Sequence, residues 1–170
     1  MPVFQTFGKT ITLMGAAGAG QHTKMCNQIA IASGMIGVCE ALAYAAGAGQ
    51  HTKMCNQIAI AAGMLGVCEA LAYAKGAGLD QTEMINTIST GAAASWSLSN
   101  YGPRIIKGDF APGFYVKHFI KDMEIALQAA HEMGLEVPGL ELALSRYREL
   151  AASGGSELGT QALYKLYADS

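Results

Sequence analysis

Residues 16–49, AAGAGQHTKMCNQIAIASGMIGVCEALAYAAGAG, decide the fold, and they occur twice. The segment returns 29 residues later as residues 45–78, and of the 34 aligned positions only Ser33/Ala62, Ile36/Leu65 and Ala46/Lys75 differ. Old stacked repeats keep the residues that pack and let the remainder drift. Here even the polar run Gln21, His22, Thr23, Lys24 returns unchanged as Gln50, His51, Thr52, Lys53. Such near-identity marks a very recent or a deliberate duplication, and we read it as engineered. After Gly15, Gly18 and Gly20 the pattern predicts a helix over residues 21–45 and its copy over residues 50–74, each about 38 Å long at 1.5 Å per residue. Ile29, Ile31, Met35, Ile36, Val38 and Leu42 leave little polar face, so both helices are expected to be central and surrounded. Small residues at Ala30, Gly34, Gly37 and Ala41 permit close approach of a neighbouring helix, and the two copies are expected to pack antiparallel through a turn over residues 46–50.

Outward from this pair, the chain continues as helices. Asp80 with Glu83 forms a capping-box-like start for residues 81–90, and a short helix is expected over residues 95–106 despite Pro103. Further helices are expected over residues 115–133, 138–152 and 160–168, punctuated by Pro112, Gly134, Pro138 and Gly154. Before the repeat, residues 9–14 (KTITLM) alternate like a strand, with no second strand in the sequence to pair with. The expected class is all-α, a helical bundle around long central apolar helices with one short N-terminal β-strand.

The 170 residues suit one domain with an ample core. A net charge of -2 and a pI near 6.0 offer no footprint for nucleic acid. Cys26/Cys55 and Cys39/Cys68 are copies of two cysteines inside apolar runs, so free buried thiols and a cytoplasmic location are expected. Residues 29–39 are interrupted by Glu40, short of the roughly 20 apolar residues that span a bilayer, so no membrane segment is expected.

For chemistry, the glycines before Lys24 are not a phosphate-binding loop, because the spacing from Gly15 through Gly20 would demand Lys where Gln21 stands. Lys24 with Asn27 and Gln28, and Lys53 with Asn56 and Gln57, project from one helical face in the first two turns. An ammonium there can donate a proton to a carbonyl oxygen while an amide fixes orientation. His22 and Cys26, repeated as His51 and Cys55, have the spacing of metal ligands, but the set of four exists only through the copying, and no metal site is expected. Glu40 and Glu69, inside apolar helices, read as structural carboxylates held by partners.

Three blocks in order are more specific than these parts: PVFQTFGKTITLMGAAGAGQHTKMCNQ (residues 2–28), EALAYAKGAGLD (69–80) and GDFAPGFYVKHFIKDMEIAL (108–127). Together the sequence resembles the β-hydroxyacid dehydrogenase family, which includes 3-hydroxyisobutyrate dehydrogenase, tartronate semialdehyde reductase and relatives of 6-phosphogluconate dehydrogenase. The resemblance implies an NAD(P)-dependent parent that joins a Rossmann domain to an all-helical domain, with residues 1–15 the last Rossmann strand and residues 16–170 the helical domain. It implies Lys24 or its copy Lys53 as the catalytic lysine, and Asn27, Gln28, Asn56, Gln57 and Phe114 as substrate contacts. Lys121, beside Asp122, would reach the nicotinamide cofactor. Many family members carry Asn four residues after the catalytic lysine, where this chain has Gln28 and Gln57. The family's strand–GxGxxG–helix, acidic ribose partner and Ser-Gly-Gly substrate loop do not occur in these 170 residues. The chain alone is therefore expected to bind no cofactor well and to be inactive, unless a separate Rossmann domain completes it. The resemblance further implies a homodimer through the long helices and the orphan strand.

Overall fold

The computed structural model describes residues 3–6, 8–9, 11–47 and 52–168. A 3-10 turn, Phe4–Thr6, precedes two long helices, α1 (Ala19–Gly47) and α2 (Thr52–Gly76). Then follow α3 (Gln81–Ile88), α4 (Trp96–Ile106), α5 (Val116–Glu132), α6 (Pro138–Leu150), a 3-10 turn at Thr160–Tyr164 and the short α7 (Lys165–Ala168). The class is all-α. Helix starts follow side-chain chemistry: Asp80 accepts from Glu83 N and Ser95 from Leu98 N, each satisfying an amide that has no partner inside its helix. After α6 the backbone turns at Gly154, whose φ of 90° lies where a side chain would be strained.

Residues 9–14, expected as a strand, form none among those described: residues 11–14 are irregular, and Leu13 is exposed. A strand needs a neighbour to accept its backbone hydrogen bonds, and the only bridge among the described residues is the isolated pair Tyr115 and Gly159. Met14 instead packs on the helices, where Thr87 Oγ1 lies 3.4 Å from its sulfur.

The two copies pack against each other antiparallel. A Cβ placed on Gly37 would stand 2.9 Å from Ala59 O and from Ala62 Cβ, and one on Gly66 would stand 2.7 Å from Ser33 Cβ and 3.3 Å from Ala30 O. Ala30 and Ser33 are the first-copy counterparts of Ala59 and Ala62, so the interface repeats itself about a pseudo-two-fold axis. Glycine is required at both points because the backbones touch there. The turn expected between the helices falls on residues 46–50, of which 48–50 lie outside the described residues, as does His51.

Identical sequence does not give identical surroundings. α3, α4, α5 and α6 gather on α2, whose Met64, Val67 and Leu71 are 0%, 2% and 0% exposed. Their copies on α1, Met35, Val38 and Leu42, are 57%, 47% and 65% exposed. The expectation that both helices are surrounded therefore holds for α2 and is corrected for α1, because the chain has one set of later helices and α2 already takes it. The same cause corrects the thiols: Cys26 and Cys68 are buried, Cys55 is half-buried and Cys39 is exposed, all of them free. By length and composition both long helices could cross a bilayer. α2 is instead core, and α1 is tied to α6 through Glu40, whose carboxylate accepts from Gly139 N (2.6 Å) and Leu140 N (3.0 Å). Glu40 thus caps the start of α6 from another helix, as a carboxylate held by partners. Among the described residues its copy Glu69 accepts from the Tyr167 hydroxyl, at 3.5 Å.

Candidate active site

Lys53 and Gln57 lie one turn apart on the first two turns of α2, facing the start of α5. Opposite them stands Asp122, on the face of α5 that also buries Phe119, Met123 and Ala126. Lys53 Nζ donates to Asp122 Oδ1 at 2.8 Å, and Gln57 Nε2 donates to Asp122 Oδ2 at 2.8 Å. Each carboxylate oxygen therefore holds one donor from α2. Asn56 Nδ2 in turn donates to Gln57 Oε1 at 3.1 Å, which fixes which way the Gln57 amide points. Asp122 is nearly enclosed while the Lys53 side chain is 67% exposed, so the ion pair is anchored at the carboxylate and open at the ammonium. An ammonium has three donors, and Asp122 engages one.

The Lys53 ammonium stands at the junction of two cavities. One, of about 380 Å³, is lined by Lys53, Phe114, His118, Lys121, Asp122 and Ile125. The other, of about 260 Å³, lies between Lys53, Gln57, Trp96, Tyr101, Phe114 and Thr160. Phe114 is the wall common to both. Its position follows from the backbone, because Thr160 N donates to Phe114 O (3.1 Å) and Val116 N to Leu158 O (2.9 Å), pinning the loop before α5 to the 158–160 segment. Phe114 also packs edge-on to Phe119, ring centroids 5.9 Å apart. Trp96 and Tyr101 meet at right angles across one turn of α4, 5.1 Å between centroids. A larger groove of about 510 Å³, between α1, α2 and residues 92–97, adjoins the second cavity at Ile60, Trp96 and Ser97, and no ionisable side chain lines it.

The structure thus brings together Lys53, Gln57, Phe114 and Lys121, with Asn56 behind Gln57, and leaves Lys24, Asn27 and Gln28 apart from them. Asn27 makes the same local bond to Gln28 (3.2 Å), but among the described residues no carboxylate is hydrogen-bonded to Gln28. Because the helices run antiparallel, the start of α1 lies at the far end of α2, where His22 Nδ1 is 3.1 Å from the Tyr73 hydroxyl. The two copies of the lysine are at opposite ends of the pair. Sequence reasoning named Asp122 only as the neighbour of Lys121 and missed its partnership with Lys53. The available signal was an acidic residue on the apolar stripe Phe119, Met123, Ala126 of α5, a place where a carboxylate needs partners. Trp96, Tyr101 and Thr160 were missed as well, having no pattern that separates them from ordinary helix residues. Among the described residues no group of three or more His, Cys, Asp or Glu side chains could hold a metal.

Residues 47–167 match the family described as NAD-binding of NADP-dependent 3-hydroxyisobutyrate dehydrogenase. The chain belongs to that family of NAD-binding dehydrogenase domains. The matched stretch contains α2 and the later helices through Tyr167, and with them the whole Lys53 cluster. The chain is 64% identical over 167 residues to the uncharacterized oxidoreductase YkwC of Bacillus subtilis, spanning 98% of this chain and 48% of that protein. It is 32% identical over 162 residues to the 2-hydroxy-3-oxopropionate reductase of Escherichia coli, spanning 95% of this chain and 46% of the reductase. Among solved structures, a 3-hydroxyisobutyrate dehydrogenase from Salmonella typhimurium superposes with a TM-score of 0.66 at 25% identity, over 71% of this chain and 42% of that one. The chain spans about half the length of the curated relatives it matches.

Proposed function

We propose that α2–α7 form the helical half of an NAD(P)-dependent dehydrogenase that interconverts a small hydroxy acid and its oxo or semialdehyde partner. Lys53 is the group that moves the proton. The observation that carries this reading is the Lys53–Asp122–Gln57 cluster, which sets an ammonium with free donors at the mouth of a cavity walled by Phe114 and bordered by Lys121. When carbonyl is reduced, Lys53 Nζ donates a proton to the oxygen that becomes hydroxyl; when alcohol is oxidised, it takes that proton back. Asp122 holds the lysine aimed, and Gln57, held by Asn56 and Asp122, limits where the substrate oxygen can sit. Phe114 excludes water from one side. A nicotinamide cofactor, with its anionic phosphates, fits the charge of the site, since Lys121 lines the cavity beside Lys53. Bound there, it supplies the hydride donor or acceptor, with Lys121 as the residue placed to hold it. The similarity to a 2-hydroxy-3-oxopropionate reductase and to a 3-hydroxyisobutyrate dehydrogenase supports small, oxygenated three- or four-carbon acids as the substrate class.

Hydride transfer is expected only when a nucleotide-binding domain with its phosphate turn accompanies these helices, because the 170 residues contain no strand–GxGxxG–helix turn to cradle a pyrophosphate. The test is an assay of the chain with a separately produced Rossmann domain from a relative, NADH or NADPH, and a panel of hydroxy acids. Lys53→Ala is expected to lower turnover on the order of 100-fold or more, the usual range for a lost general acid, and Lys24→Ala to leave it unchanged. Equal losses from the two substitutions, or none from Lys53→Ala, would overturn the assignment.

A further inference from the structure

Resting on the reading that places the reacting oxygen at Lys53, we infer that the hydroxyls of Ser97 and Thr160 form a subsite for a second, neutral hydroxyl group of the substrate. The acid preferred is then a dihydroxy acid over its methyl counterpart. Both residues line the cavity of about 260 Å³ that Lys53 and Gln57 also line, Ser97 at the point where it meets the larger groove. They are 7% and 3% exposed. Among the described residues neither hydroxyl makes a hydrogen bond, and neither is sealed off, because the one enclosed side-chain polar atom without a partner is Gln161 Oε1. The open space that the two residues border in common is this cavity. A buried hydroxyl with no partner in the protein is costly unless something else supplies one.

The position of Thr160 is fixed by its backbone. Its N donates to Phe114 O at 3.1 Å and its O accepts from the Tyr147 hydroxyl at 2.9 Å. The next residue, Gln161, donates through Nε2 to Asp109 O and Ala111 O, at 3.1 Å each. The hydroxyl is the polar group that Thr160 leaves unengaged. Ser97 stands in the first turn of α4, and α2, α4 and the Thr160–Tyr164 turn all pack on one another, so the cavity gathers the two hydroxyls and Gln57 from three elements.

Volume and charge define the occupant. One water needs roughly 10–15 Å³ of such space, so the cavity has room for a small molecule. Ile60, Trp96, Phe114 and Phe119 make its apolar walls, and Lys53 is the one cation among its lining residues. That ammonium already serves Asp122 and the reacting oxygen. A carboxylate seated at Ser97 and Thr160 would therefore lack a countercharge, whereas a neutral hydroxyl finds both donors and acceptors there. A methyl group in its place would leave the two protein hydroxyls unpaired, which is how a hydrogen-bonding site rejects the analogue that lacks the bonding group.

The test compares two acids that differ at a single carbon, 2,3-dihydroxypropanoate and 3-hydroxy-2-methylpropanoate, oxidised by this chain completed with the Rossmann domain of a relative and NAD or NADP. The kcat/KM is expected to favour the dihydroxy acid by about tenfold or more. Thr160→Val, which trades the hydroxyl for a methyl group of similar size, and Ser97→Ala should each shrink that ratio severalfold, and the double variant should bring it near one. A ratio taken within one preparation does not respond to a loss of folded enzyme, so merely structural damage would not move it. The same preference is expected without cofactor in titrations that follow the fluorescence of Trp96, the one tryptophan of the chain and a wall of this cavity. Equal handling of the two acids, or a preference that survives both substitutions, would overturn the subsite and leave the hydroxyls holding solvent only. Lys53→Ala separates the two claims: if turnover is untouched, the general-acid assignment fails, while a ratio that answers to Ser97 and Thr160 still upholds the subsite. Where neither acid turns over, the Trp96 titrations decide, and equal affinities there would overturn it.

Discussion

Asp122 shows how much one side chain can organise. Its two oxygens accept from residues one helical turn apart, so the carboxylate sets both the reach of Lys53 and the orientation of Gln57. Asp122→Asn keeps the shape but turns one acceptor into a donor aimed at another donor. We expect it to cost about 1–3 kcal/mol in urea unfolding, the range for leaving a buried polar group unpaired, and, on the proposed function, to depress turnover together with Lys53→Ala. Independent, additive losses from the two substitutions would show that the pair does not act as a unit. A second prediction concerns pH. Burial pushes the Cys26 thiol from 9.0 up to about 11, and burial raises Cys68 and Tyr147 as well. These groups are neutral in the folded protein and ionise more readily once unfolded, so their contribution is complete below pH 9 and is lost as pH rises through 11. The urea midpoint is expected to fall between pH 9 and 11, and Cys26→Ala should flatten part of that decline. A midpoint constant across this window would contradict the burial of these groups.

At the level of helices, the boundaries were legible because they rest on local chemistry. Asp80, Ser95 and Pro138 announce the starts of α3, α4 and α6, and the apolar period of the repeat announces α1 and α2. What was not legible is which copy is covered, since residues 16–49 and 45–78 are nearly the same string. The answer depends on which helix immediately precedes α3, a matter of connection and not of propensity. The strand over residues 9–14 failed for a related reason: alternation shows what could pair, and pairing needs a neighbour. The glycines allow a sharp test at this scale. Gly37→Ala and Gly66→Ala place a methyl against the backbone of the other copy and should each cost about 1–3 kcal/mol, as overpacking does. Gly63→Ala meets nothing within 4 Å and should instead stabilise by about 0.5–1 kcal/mol, the helix propensity difference. If all three behaved alike, the close antiparallel approach of α1 and α2 would be wrong. Glu40→Ala is expected to destabilise by about 1 kcal/mol through the lost cap on α6. Glu69→Ala should do less, its partner being a single hydroxyl at 3.5 Å.

For the whole molecule, the duplication makes an internal control that few proteins offer, because the same substitution can be made in the same sequence at two depths. α2 is the axle of the fold. It touches the later helices, carries Lys53 and Gln57, and lies within the stretch that matches the dehydrogenase family, whereas α1 clads one side of it and caps α6. Leu71→Ala therefore removes a fully enclosed side chain from between α2 and its bundle and is expected to cost about 2–5 kcal/mol, transfer and cavity together. Leu42→Ala removes the same atoms from a side chain that is 65% exposed, and it should change stability by no more than about 0.5 kcal/mol. Met64→Ala against Met35→Ala should repeat the contrast. Urea unfolding of the four variants, followed by helicity in dilute solution, measures both pairs. Comparable losses at Leu42 and Leu71 would mean that α1 is as deeply engaged as α2, and would remove the asymmetry between the copies.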